Sequence, residues 1–156
     1  MFGFPVETPE KMRETIEGYL KYITVERPDL PSAVLNPKVI ECDPAVPRLT
    51  VAYPIKEGML NAVGNAHGAM ITMAYDVTMG IMARWHQLGT MSPTLTMSFE
   101  FLKAVPCGSN FVVEATAVAS GRHTVDFVCK GWIEGDPDTI VNRAQGRYFI
   151  YKAMEE

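Results

Sequence analysis

The segment Ala66–Trp85, AHGAMITMAYDVTMGIMARW, constrains the fold more than any other part of the chain. At about 100° per residue its apolar side chains fall on every face, which describes a helix covered on all sides. The segment is long enough to cross a bilayer, but Asp76 stands at its middle, where a membrane would penalise it by roughly 2.5–3.5 kcal/mol. His67 and Arg84 shorten the apolar run, and no Lys/Arg flank sets an orientation. The helix therefore belongs inside protein. One sheet can cover only one of its sides, so the N-terminal segment or a second copy of the chain must cover the rest.

After Gly89 the period changes from helix to strand. Thr94, Thr96, Ser98 and Glu100 alternate with Leu95, Met97, Phe99 and Phe101, giving one polar and one apolar face. Phe111–Ser120, Thr124–Ile133 and Thr139–Tyr151 are three more β-rich runs. Pro106-Cys-Gly108, Gly121-Arg122 and Gly135-Asp-Pro137-Asp punctuate them. Three short connections in a row predict an antiparallel meander. Before the long helix, Arg48–Pro54 and a shorter run at Lys38–Cys42 read as strands, and Ile55–Asn65 as a loop.

Thr8 and Pro9 signal a helix start, and Met12, Ile16, Tyr19, Leu20 and Ile23 recur at helical spacing through the first 24 residues. Five prolines between Pro28 and Pro47 exclude a long helix there. The fold class is thus α+β, a curved antiparallel sheet wrapping a long central helix, with an extra N-terminal helix. A chain of 156 residues accommodates it as a single domain, with residues 1–47 as lead-in and 48–151 as core.

A net charge of −4, from 14 basic and 18 acidic residues, gives no footprint of a nucleic-acid partner. The three cysteines, 42, 107 and 129, have no metal-ligand spacing and suit a reducing compartment. Neither the acid-bearing N-terminus nor the C-terminal KAMEE reads as a targeting signal, so the expectation is cytoplasmic.

No P-loop, GxGxxG, GxSxG or HExxH is present. What remains is a cluster along the long helix: Asn61, Gly64, His67, Gly68 and Asp76. A carboxylate inside a covered helix is costly unless it is held or used. It is either an Asp satisfied by a hydroxyl or amide, or a general base or nucleophile in an apolar cleft. Gly68 opens the helix, where unpaired N–H groups suit a carbonyl oxygen becoming an oxyanion. Asn61 alone reads as a turn residue, and His67 alone as a cap. His67 and Asp76 are nine residues apart, about 13.5 Å along the axis and on opposite sides. If both serve one site, two copies of the helix must build it.

The stretch N61-A-V-G64-N-A-H67-G68-A69, with Asp76 nine residues after His67, resembles the hotdog-fold acyl-CoA thioesterases of the phenylacetate-pathway and "thioesterase superfamily member" type. Their pattern is an Asn, a Gly, a His-Gly-Gly opening the central helix, and an Asp nine residues after the His. Ala69 replaces the second Gly of that pair. The order of elements matches from about Arg48 to Tyr151.

The resemblance implies hydrolysis of an acyl-CoA thioester to free acid and coenzyme A. Asp76 would be the catalytic carboxylate, as base or nucleophile, and Gly68 the N–H that polarises the carbonyl. His67 would orient the carbonyl or the loop. Asn61, on the same subunit as Gly68, would position the thioester or water, with Asp76 coming from the partner. Thr94, eighteen residues after Asp76, takes the place of a Ser or Thr that holds water. Gly64, Ala69, Met73 and Arg122 are further expected substrate contacts, Arg122 as one of several cations open to coenzyme A phosphates. Seven of the ten methionines lie between Met59 and Met97, suited either to an adaptable pocket or to a dimer core. No metal or redox cofactor is implied; coenzyme A enters only as part of substrate and product. The assembly implied is a homodimer or a dimer of dimers, without membrane or nucleic acid. The alternative is a non-catalytic acyl-CoA-binding or regulatory hotdog protein. The D-x-N-P-x-H motif of hotdog dehydratases is missing.

Overall fold

The structure, a computed structural model, describes residues 3–151; KAMEE, in which no targeting address was found, lies outside the described residues, as do residues 1 and 2. Helix α1 spans Pro9–Lys21 and starts as its sequence demands. Thr8 Oγ1 accepts Lys11 N–H at 3.3 Å, and Pro9 fills a first-turn position where its missing N–H costs nothing. Met12, Ile16 and Leu20 form its buried stripe. The chain continues through a π-helical turn, Tyr22–Glu26, and a 3₁₀ turn, Pro31–Leu35.

Strands β1 (Lys38–Asp43), β2 (Arg48–Pro54), β3 (Thr94–Phe101), β4 (Asn110–Ser120), β5 (Thr124–Ile133) and β6 (Asn142–Phe149) form one antiparallel sheet. Register shifts in β1 at Val39/Glu41, in β3 at Thr94/Thr96 and in β4 at Ala117/Ala119 add twist and bend it. At the β1 irregularity the Val39 and Ile40 carbonyls accept from Arg13 at 3.1 and 2.7 Å, which fastens α1 to the sheet.

The strand order is β1-β2-β4-β5-β6-β3, which corrects the expected four-strand meander. The β4–β5 and β5–β6 connections join neighbouring strands, but β3 pairs with β6 rather than with β4. The reason lies in the chain between them. Leu102 and Lys103 N–H both donate to Val141 O, Val105 O accepts from Ala66 N, and Gly108 N donates to Ile55 O. These bonds carry the segment across from the β6 side to β2, with the turn at Pro106–Gly108 hung on the loop ahead of the long helix.

That helix, α2, spans Gly68–His86 and lies on the concave face of the sheet. Strand β6 shows why. Asn142, Ala144, Gly146 and Tyr148 are buried toward α2, and Arg143, Gln145 and Arg147 are exposed on the other face. Three tyrosine hydroxyls bind helix to sheet. Tyr53 and Thr78 share a hydrogen bond of 2.7 Å, Tyr75 donates to the Asn142 side chain, and Tyr148 donates to Asp76 at 2.7 Å. Close approach needs Gly131: a Cβ there would lie 2.6 Å from the Phe111 ring and 2.5 Å from the Tyr75 hydroxyl. The helix is not covered all round within one chain. Ile71, Ala74, Tyr75, Thr78, Met79 and Met82 are buried, whereas Ala69 is exposed and Met73, Asp76 and Val77 are only half-covered.

Gly131→Ala is expected to destabilise the fold by about 1–3 kcal/mol in urea denaturation, because two rigid rings and the buried Asn142 side chain crowd the site. Gly146→Ala should cost less, since its nearest obstacle is the flexible Met79 thioether at 2.7 Å. Equal effects would contradict this packing.

Candidate functional site

The expected site residues fall into two groups at two places on α2, with Arg122 at a third. The first group centres on Asp76. Thr94 Oγ1 donates to Asp76 Oδ1 at 2.8 Å, and Tyr148 OH donates to the same oxygen at 2.7 Å. Asp76 Oδ2 takes no partner among the described residues. One oxygen is thus tied down and the other is without a partner among the described residues.

The β3 irregularity explains how Thr94 reaches Asp76. Strict alternation would place Thr94 with Thr96 and Ser98 on the outer face. The register shift at Leu95 instead sets Thr94 opposite Tyr148, while Thr96 stands opposite Arg147. Thr94 thereby joins the helix side of the sheet. Burial, then the charge of Asp76 and the bond to it, push the Tyr148 phenol far above its usual range. It stays a donor at any working pH.

Tyr148 was not among the residues expected from the sequence. Its signal was the alternation of β6, which turns position 148 inward. Nothing local reveals that its hydroxyl meets a carboxylate 72 residues away.

The second group gathers at the start of α2. His67 is the N-cap, its Nδ1 accepting Ala69 N–H at 3.0 Å, so the proton of the neutral ring sits on Nε2. Asn61 Oδ1 accepts Val63 and Asn65 N–H, both at 3.1 Å, closing the loop as an Asx turn. Its amide NH₂ keeps no partner among the described residues. Gly64 has φ +83°, a conformation that favours glycine. Asn61, Gly64 and His67 therefore have structural tasks of their own. Gly68 N–H has no acceptor among the described residues, as an N1 amide does not. The edge of the Phe101 ring lies 3.6 Å from where a Gly68 Cβ would be.

Gly68 and Asp76 are eight residues apart, about 12 Å of helix rise, so one chain does not bring them together. Ala69 and Met73 lie on the half-covered face between them. Arg122 is exposed in the β4–β5 turn, the connection whose Gly121 N–H donates to Thr124 O at 2.8 Å, and touches neither group.

Asp76 lines a cavity of about 260 Å³ bounded by α2, α1, the π-helical turn and the segment before β3. A larger hollow of about 460 Å³ lies over the outer face of the sheet, but its Asp126 and Arg147 pair with each other at 2.6 Å and leave no free acid or base. Among the described residues no three His, Cys, Asp or Glu side chains group as a metal ion would need, and no helix is long and apolar enough to cross a membrane. Cys42 and Cys129 are buried and free, and burial pushes the Cys42 thiol up to about 11.

The family model of the thioesterase superfamily matches residues 63–140, from the loop before α2 to the turn after β5. The PaaI protein of the Escherichia coli phenylacetic acid degradation operon superimposes with a TM-score of 0.76 at 14% identity, over 94% of this chain and 98% of that one. Thioesterase superfamily member 2 of Mus musculus gives a TM-score of 0.71 at 11% identity, over 94% and 100%. A hypothetical thioesterase protein with coenzyme A from Streptococcus pneumoniae gives 0.66 at 23%, over 75% and 90%. At these identities the likeness establishes the hotdog fold. No curated protein sequence matches the chain significantly.

Tyr148→Phe removes one of the two donors to Asp76 and is expected to cost about 1.5–3 kcal/mol of stability by urea denaturation, as for a hydrogen bond to a charged group. No measurable loss would mean that the bond does not form in solution.

Proposed function

Because the chain belongs to the thioesterase superfamily, we propose that it hydrolyses an acyl-CoA thioester at a site shared between two copies of the chain. One observation carries this reading. A carboxylate with one oxygen held by two hydroxyls sits mid-helix, and an N–H without an acceptor among the described residues sits about 12 Å away at the start of the same helix. Each is half of a thioester site. Two antiparallel copies of α2 bring the Gly68 of one against the Asp76 of the other.

The surface supports such pairing. Strand β3 is an edge of the sheet, and an edge strand presents unpaired N–H and C=O groups. Leu95 and Phe101 on it are about half exposed, at 48% and 55%. Met73 and Val77 are half-covered on the open face of α2. Cover from a second copy removes this apolar area from water.

In the proposed reaction the substrate carbonyl oxygen accepts from Gly68 N–H of one copy, with the Asn61 amide NH₂ nearby. The free Oδ2 of Asp76 from the other copy takes a proton from water as the water oxygen bonds to the carbonyl carbon. The resulting oxyanion is held at the helix N-terminus, where the donor and the helix dipole favour negative charge. It collapses, the C–S bond breaks, and the proton on Asp76 passes to the departing coenzyme A sulfur. Thr94 and Tyr148 keep Oδ1 occupied throughout, so the same oxygen serves every turnover. The step uses only the chain's residues and water. Arg122 remains a proposed contact for coenzyme A phosphates, being exposed and without an ion-pair partner among the described residues.

Gly68→Pro separates the donor from the fold. Proline suits the first helical position, a Cβ there makes ordinary contact with Phe101 at 3.6 Å, and His67, with ψ 137°, already has the backbone that precedes proline. Thiol release across an acyl-CoA panel is expected to fall about 10²–10³-fold in kcat for Gly68→Pro, with Tm retained. It should fall at least about 10²-fold for Asp76→Asn. Unchanged kcat in either variant would remove that group from the mechanism. A wild type that binds coenzyme A esters without releasing thiol would favour the non-catalytic binder.

A further inference from the structure

The cavity beside Asp76 ends on a second charge. Asp76, Gly80 and Arg84 are four residues apart on one stripe of α2, and all three line the same cavity of about 260 Å³. The two charged positions are about 12 Å apart along the axis. Between them the walls are largely apolar, with Ile23, Val77, Ile81 and Met91. The passage is open because position 80 has no side chain: a Cβ there would meet only the Tyr148 ring, at 3.6 Å.

Arg84 is half-buried and incompletely satisfied. Its Nε donates to Gly89 O at 2.9 Å, and its guanidinium lies over the Tyr19 ring at 4.1 Å. None of the ion pairs among the described residues includes it, and its two Nη groups have no hydrogen-bond partner among them. Glu7, whose charge reaches Tyr19 beside it, already accepts the Trp85 indole N–H at 2.6 Å. A guanidinium drawn out of water normally has an acceptor for its fork, since desolvation is costly and a carboxylate fits it bidentately. Here the fork faces a cavity whose other end is the proposed reacting carboxylate.

We propose that this cavity holds the acyl group and that Arg84 selects acyl chains ending in a carboxylate, so that the preferred substrate is a coenzyme A monoester of a dicarboxylic acid. The inference rests on the thioesterase reading for the thioester at Asp76, and on Arg84 alone for the distal carboxylate. The apolar walls suit the methylene chain. The terminal anion replaces the water that Arg84 gives up.

The test uses two non-hydrolysable coenzyme A thioethers of equal chain length, one ending in a carboxylate and one in a methyl group. Their Kd values are measured by calorimetry on the wild type, Arg84→Met and Gly80→Ala. Arg84→Met keeps the apolar stem and its packing on Tyr19. The wild type is expected to bind the carboxylate analogue about 10–100-fold more tightly, as a hydrogen-bonded charge pair would. Arg84→Met should abolish that preference. Gly80→Ala, a helix-favouring change, should weaken both analogues by about tenfold because its methyl enters the passage. Equal affinity in the wild type, a preference that survives Arg84→Met, or binding of neither analogue would overturn the proposal. Thiol release from the matching thioesters is scored separately. A preference without turnover would end the hydrolysis reading and leave the Arg84 assignment standing.

Discussion

A carboxyl group in the middle of an apolar helix dictates what must cover that helix, and most of this structure follows from meeting that demand at Asp76. Two hydroxyls reach it from the sheet, Thr94 at 2.8 Å and Tyr148 at 2.7 Å. For both to arrive, β3 must lie beside β6, and β3 must carry an extra residue that turns Thr94 inward. For α2 to lie close enough, β5 must have glycine at 131. Strand order, bulge and glycine are conditions for one oxygen atom to have two donors.

The same helix carries charge acceptance at its start and charge at its middle, and its geometry keeps the two apart. The proposed site therefore depends on assembly as much as on residues. A hotdog sheet with β3 at its edge and a half-covered α2 face leaves unsatisfied the groups that a second copy of the chain can satisfy. The proposed catalysis draws on what the described residues of one chain leave open: an N1 amide, one carboxylate oxygen, and a cavity with a guanidinium at its far end that none of their ion pairs includes.

Local features were legible where the interaction that fixes them is local. The Thr8–Pro9 cap, the extent of α2, the inward stripe of β6 and the turns flanking β5 follow from periodicity and turn chemistry. The separation of His67 from Asp76 followed from helix geometry before any sheet was placed. The partner of β3 did not. A Pro-Cys-Gly turn after β3 looks like a hairpin, whereas its hydrogen bonds go to Ile55, Ala66 and Val141, set by the loop and sheet edge it crosses. Thr94 was marked as a site residue by its spacing from Asp76, yet simple alternation would face it outward; a one-residue bulge decides that question, and bulges leave little trace in sequence. Tyr148 was missed because its importance comes from a contact across 72 residues.

The central claim is that each site takes Asp76 from one chain and Gly68 from another, and subunit mixing tests it most directly. Asp76→Asn and Gly68→Pro proteins, each inactive alone, are unfolded together, refolded as an equal mixture and assayed for thiol release. In a two-fold assembly every mixed dimer holds one site with both defects and one with neither, so activity should return to about a quarter of the wild-type value. A mixture as inactive as its components, with mixed dimers demonstrated by mass, would contradict the shared site.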